Sequence, residues 1–234
     1  MDFQFIIKSL PSIIKAVPIT LLMAFSATIL GWALGLVIAL VRRAKTPVIS
    51  QILAIYVSFM RSVPAVILLY ISYFVMPNVI QSYMRSIGKE IDISLVPAVL
   101  YAIGALTMIQ SAYSSEVFRS AIASIDEGQM EACYSVGMTK FQALIRIIFP
   151  QAFATAMPNL GGLFIGLIKD TSLAYYVGVY EITATAQLLS LPKLNFIEAY
   201  IMTTIVYEIL SFIFNKLFRA EENHLKKFRA AATS

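Results

Sequence analysis

Four stretches of the chain run for 22 or more positions without a charged side chain: Ala16 to Val41 (26 residues), Ser62 to Met84 (23), Ile93 to Ser115 (23) and Ile147 to Ile168 (22). A helix needs about 20 mostly apolar residues to cross a bilayer, so each stretch predicts a membrane span. A fifth is predicted over Leu194 to Asn215, apolar overall although Glu198 and Glu208 interrupt it. The expected architecture is therefore an all-α, polytopic membrane protein: one domain over residues 1–234, with five spans near 16–41, 62–77, 93–119, 150–168 and 194–216. Between the spans, Thr46 to Met60 reads as an amphipathic segment near the inner face. Tyr180 to Leu191, bounded by Gly178 and Pro192, reads as a short interfacial helix outside, because Thr183, Thr185 and Gln187 are too polar for lipid. No internal repeat or domain boundary is visible.

Lys8 and Lys15 before an apolar run, with Ala24-Phe25-Ser26-Ala27 inside it, resemble the start of a signal peptide. The run continues to Val41, well past the roughly 7–15 residues of a signal-peptide core, and is read as an uncleaved first span.

Composition narrows the function. The 18 basic and 13 acidic residues make 13% of the chain, against ~25% in a soluble domain, which excludes one. The net charge of +5 does not indicate nucleic acid, because the basic residues sit between apolar runs and at the tail. With only Cys133 and His224, no disulfide framework, metal cluster or Cys/His nucleophile pair is available, and no catalytic residue is predicted. Short loops rich in Lys and Arg stay in the cytoplasm. Placing the N-terminus outside puts Arg42, Arg43, Lys45, Arg61, Arg119, Lys140, Arg146, Lys216, Arg219, Lys226, Lys227 and Arg229 inside, 12 of the 18. The C-terminus is then cytoplasmic.

Gly31 and Gly35, and Gly161, Gly162 and Gly166, either mark close helix contacts or reflect the ordinary abundance of Gly in membrane helices. Gly161 to Lys169 has two glycines of a phosphate-binding loop. Its Lys stands three residues after Gly166 instead of one and no Ser or Thr follows it directly, so any ATP use falls to a partner.

Within the longest cytoplasmic stretch, Ser120 to Arg146, the run Ile125-Asp126-Glu127-Gly128 predicts a turn and a helix start with acidic residues at its positive end. Then come Glu131-Ala132-Cys133, Gly137, Ile147 and Pro150. This spacing resembles the EAA motif of permease subunits of ATP-binding cassette (ABC) importers, with Cys133 in place of the second Ala and Phe149 in place of a Leu. Further pieces are similar to permeases of the polar amino acid importers: Met60-Arg61-Ser62-Val63-Pro64 with Tyr70, Ala112-Tyr113 with Glu116 and Arg119, Leu160-Gly161, Leu167 through Leu173, and Gly178-Val179 with Glu181. That family usually carries Thr where Val63 stands and Asn at Ile109.

The resemblance implies a type I importer permease of MetI-like architecture in a bacterial inner membrane, with a coupling-helix region at about 126–146. It implies that Glu131, Ala132, Cys133, Gly137, Ile147 and Pro150 couple the chain to an ATPase subunit. It further implies a second permease subunit, a substrate-binding protein outside, and a polar amino acid as cargo. ATP and Mg would be held by the ATPase partners and no cofactor by this chain. Ser111, Tyr113, Glu116, Asp170, Thr171 and Ser172 are candidates for the substrate path, and Arg61, Pro64, Arg119 and Glu208 for gate or structural roles. Several have local alternatives: Glu116 with Arg119 three residues on, Asp170 with Lys169, and Arg61 as a topology anchor. Glu208 has no basic residue at i±3 or i±4, so it is protonated, faces a polar interior or meets another subunit. An ion-coupled secondary transporter and a structural assembly protein are the rival readings.

Overall fold

The computed structural model describes residues 2–44, 46–90 and 92–232. Of the charges that set the orientation, Lys45 lies outside these, as do the side chains of Lys226, Lys227 and Arg229. The described chain is helical, in the order α1 (Phe3–Arg43), α2 (Ile49–Ser62), α3 (Ala65–Tyr70), α4 (Met76–Ser86), α5 (Ala98–Ala123), α6 (Glu127–Ser135), α7 (Lys140–Ala143), α8 (Phe149–Asp170), α9 (Ile182–Ser190) and α10 (Phe196–Ala232).

The first helix starts well before its predicted span. Asp2 caps it by accepting the Phe5 N–H at 3.0 Å, and Lys8 and Lys15 sit on its exposed side instead of ending it. Its buried positions recur every three or four residues, from Ser9, Ile13 and Ala16 to Gly31, Gly35 and Ile38. That stripe packs along α5. A Cβ on Gly31 would lie 2.7 Å from Gln110 Cβ, and one on Gly35 would lie 2.1 Å from Ser114 Oγ, so the close approach of these two helices requires both glycines.

The predicted second span starts after a break at Pro64. Pro64 has no N–H to continue α2, and it holds Val63 extended at ψ 133. The chain restarts at Ala65 and runs to Ser86 through a π-helical segment, Ile71–Val75. A second π-helical segment, Leu144–Ile148, joins α7 to α8. Each lies just before a proline, Pro77 or Pro150, whose ring would strike the carbonyl four residues back. Widening the helix there relieves the clash.

Among the described residues, four helical stretches are long and apolar enough to cross a membrane: Phe3–Arg43, Ala65–Ser86, Lys140–Val177 and Phe196–Leu225. The predicted third span corresponds to α5, whose 26 residues extend ~39 Å. It is less apolar than the four because Gln110, Ser111, Ser114 and Ser115 are concentrated in its middle. Those four side chains are buried.

The amphipathic α2 packs Val57, with Leu53, Tyr56 and Met60, against Ile38 and Ala112. One other segment differs from expectation. Helix α9 is not peripheral: Ile182 and Ala186 join Ile13 and Ala24 of α1, Phe164 of α8 and Tyr207 of α10 in one core cluster. Outward-facing side chains such as Ile29, Val37, Phe74, Ile205 and Phe212 are exposed apolar groups, as a lipid solvent allows.

Candidate functional site

The predicted coupling region forms a capped helix, a tight turn and a second capped helix. Asp126 accepts the Gly128 N–H at 2.6 Å to start α6. Helix α6 ends in a Schellman turn: Gly137 takes the left-handed conformation (φ 81), its N–H bonds the Tyr134 carbonyl, and the Met138 N–H bonds the Cys133 carbonyl, both at 3.0 Å. Thr139 and Gln142 then form a reciprocal capping box that opens α7. The re-entrant helix therefore begins at Lys140, ten residues before Pro150, and passes through Ile147 and Pro150. Cys133 is buried, while Glu131 and Ala132 face outward. Beside them Tyr134, Val136, Phe141 and Ile145 are exposed, Val136 at 75% and Phe141 at 70%. Glu131 also lines a hollow of about 250 Å³ with Arg43, Asp126 and Glu127.

On α5 the local alternative for Glu116 is realised and extended. Arg119 Nη2 lies 2.7 Å from Glu116 Oε2, and Arg42 of α1 binds the other oxygen. One carboxylate thus joins two guanidinium groups and ties the C-terminal parts of α1 and α5. Tyr113 of the same helix is half-exposed beneath Arg61, whose guanidinium carbon is 5.5 Å from the ring centroid. Ser111 is fully buried, its hydroxyl 2.8 Å from that of Tyr56. Pro64 sits at the α2–α3 break described above.

The other triplet lies where α8 ends. Thr171 is fully buried and its hydroxyl returns to the Ile168 carbonyl at 2.6 Å. Asp170 is exposed and does not pair with Lys169. Instead Lys169 Nζ lies 2.8 Å from Glu208 Oε1 of α10, which gives Glu208 the cation that is absent at i±3 and i±4 of its own helix. Both line a groove of about 300 Å³ with Ser172, Thr183, Thr204 and Tyr207. The groove is amphoteric, with one cation, one carboxylate and several hydroxyls between two membrane-length helices. Ser111, Tyr113 and Glu116 are not among the residues that line it, so the candidate path residues fall into two groups.

Three groups escaped the sequence reading as site residues: Arg42, Tyr207 and Glu181. Glu181 is completely buried, accepts the Ala184 N–H at 2.8 Å and takes the Tyr207 hydroxyl at 2.6 Å. Its sequence signs were its place in the family-like piece Gly178-Val179 with Glu181 and its being a lone carboxylate in a segment otherwise without charge.

Residues 27–227 match the family described as binding-protein-dependent transport system inner membrane component. The chain belongs to this family. As an inner membrane component it is a multi-pass transport subunit. A probable amino-acid permease protein, YxeN, of Bacillus subtilis (strain 168) is 41% identical over 217 residues, covering 93% of this permease and 92% of the relative. The L-cystine transport system permease protein TcyL of the same organism is 33% identical over 226 residues, covering 97% and 92%. Among solved structures, a crystal structure of an amino acid ABC transporter with histidines superposes with a TM-score of 0.80 at 28% identity, over 96% of this permease and 99% of that chain. The MetNI methionine ABC transporter in inward-facing form gives a TM-score of 0.70 at 17% identity, over 91% and 95%, which establishes the shared fold. The permease thus has the fold of type I ABC importer permeases.

Proposed function

We propose that this permease forms one half of the translocation unit of an ATP-driven importer for a polar amino acid. The observation that carries the reading is the α6–α7 turn: a rigidly capped motif that presents Glu131, Ala132, Tyr134, Val136 and Phe141 outward. Exposed apolar groups beside a short, fixed helix suit insertion into a groove on an ATPase subunit. A second permease, the same chain or a sister, completes the path. A substrate-binding protein outside delivers the cargo, and ATP with Mg is bound and hydrolysed on the ATPase subunits.

In this reading the N-terminus is outside and the basic C-terminal end of α10 is cytoplasmic. Closure of the ATPase pair pushes α6, and the push travels through α7 and the continuous helix to α8, rocking the two permeases between inward and outward states. The polar groove of Lys169, Ser172, Thr183 and Glu208 supports a path at the α8–α10 seam, because charged groups on membrane helices face a watery cavity or a partner. The names of the relatives support an amino acid as cargo.

The test is uptake into proteoliposomes containing the permease, its ATPase and its binding protein. Uptake is expected to require ATP hydrolysis. Accumulation that persists without ATP, or without the ATPase subunit, would overturn the importer reading.

A further inference from the structure

Glu181 is a carboxylate with no exposed surface, set at the N-terminus of α9. One oxygen accepts the Ala184 N–H at 2.8 Å, where the positive end of the helix favours an acceptor. The other accepts the phenolic proton of Tyr207 at 2.6 Å. Tyr207 Oη also lies 3.2 Å from Thr183 Oγ1, and both Tyr207 and Thr183 line the groove that holds Lys169 and Glu208.

A tyrosine has one proton to donate. With that proton committed to Glu181, the oxygen of Tyr207 can only accept from the groove side. Thr183 is then the donor in its contact with Tyr207. We infer that Glu181 is a positioning residue: it fixes Tyr207 as an acceptor toward the groove and so makes this end of the groove a seat for the ammonium group of an amino acid. The inference rests on the groove being part of the transport path, as proposed above. It accounts for a buried carboxylate that packing alone would disfavour, since an apolar or amide side chain would avoid the desolvation of the charge. It also assigns the two ends of the groove opposite tasks. Glu208 and the Tyr207 oxygen face a cation, and Lys169, released from Glu208, faces a carboxylate.

The experiment is equilibrium binding to the purified full-length permease assembled with its ATPase, without the binding protein. The probes are radiolabelled L-glutamine, L-glutamate and L-cystine, each competed by its amine-free analogue: 4-carbamoylbutanoate, glutarate and 3,3′-dithiodipropionate. The unmodified permease is expected to prefer at least one amino acid over its analogue by about tenfold or more, the worth of a hydrogen bond to a charged group. Glu181→Gln leaves one acceptor oxygen for two donors, the Ala184 N–H and the Tyr207 hydroxyl, and Tyr207→Phe removes the phenolic oxygen. Each is expected to reduce that preference about tenfold, while binding of the amine-free analogue changes little. A purely structural role for Glu181 would weaken amino acid and analogue alike and leave the preference intact. An undiminished preference in both variants overturns the inference while the groove remains the path. Failure of the unmodified permease to bind any of the three overturns the groove as the path and this inference with it. If Glu181→Gln does not assemble, Tyr207→Phe alone decides, since loss of one buried hydroxyl preserves the ring.

Discussion

Lys169 of α8 and Glu208 of α10 meet at 2.8 Å on the open face of the groove, although 39 residues separate them in the chain. Both side chains are substantially exposed, 48% and 64%, so the pair adds little to folding, below about 1 kcal/mol. Its position on two membrane-length helices points to transport. Lys169→Ala and Glu208→Gln are each expected to leave the detergent melting temperature within about 2 °C and to lower uptake at least tenfold. Proteoliposome uptake with parallel thermal unfolding checks this, and normal uptake in both variants would make the pair incidental.

The two glycine pairs separate by what lies above them. Gly35→Ala would drive a Cβ to 2.1 Å from Ser114 Oγ and 2.8 Å from the Ser111 carbonyl oxygen. Overpacking of this kind costs about 1–3 kcal/mol, and the purified permease should melt several degrees lower. Gly162 and Gly166 have open space above them, and Gly162→Ala and Gly166→Ala should melt as the unmodified chain does. A loss of assembly or transport in these two, with unchanged melting, would mark their face as the seat of the second permease.

Gly137 ends α6 with φ 81, a conformation that costs a residue with a Cβ about 1–2 kcal/mol. Gly137 is exposed, with open space where a Cβ would stand, so Gly137→Val should insert and fold yet misdirect α6. Uptake is expected to fall while the ATPase of the assembled complex keeps turning over, and Glu131→Ala should behave likewise. Transport and ATP hydrolysis measured on one preparation decide it; uptake unchanged in both variants removes the coupling role.

Glu116 holds both Arg42 and Arg119, and its loss leaves two guanidinium groups without their shared acceptor. Glu116→Gln is expected to destabilise the α1–α5 contact by about 1–3 kcal/mol, the worth of hydrogen bonds to a charged group. Arg119→Ala should cost less, because Arg119 is 49% exposed against 17% for Arg42. Thermal unfolding of the single variants ranks the two arginines, and Arg119→Ala proving the more damaging would contradict the geometry.

Asp170 is exposed at the end of α8 and its neighbour Lys169 is engaged elsewhere. Asp170→Asn should therefore fold normally and change either the apparent affinity for the transported amino acid or the stimulation of ATPase by it. Identical kinetics would place Asp170 outside the path.

The sequence by itself determined that the chain is a helical membrane protein, where most of its apolar helices run, and where its spaced Glu131–Pro150 motif lies. Each of these is local: a charge-free run of about 20 residues has few alternatives to a span, and the spacing from Glu131 through Gly137 to Pro150 is read within twenty consecutive residues. Tertiary structure decided which polar groups meet. Lys169 with Glu208, Arg42 with Glu116 and Tyr207 with Glu181 are separated by 39, 74 and 26 residues. Helical periodicity specifies neighbours only at three or four residues, which is why Glu116–Arg119 was legible and these three pairs were not. The burial of α9 was hidden for the same reason: its threonines look too polar for a bundle until Tyr207 is brought beside Thr183 by the packing of another helix.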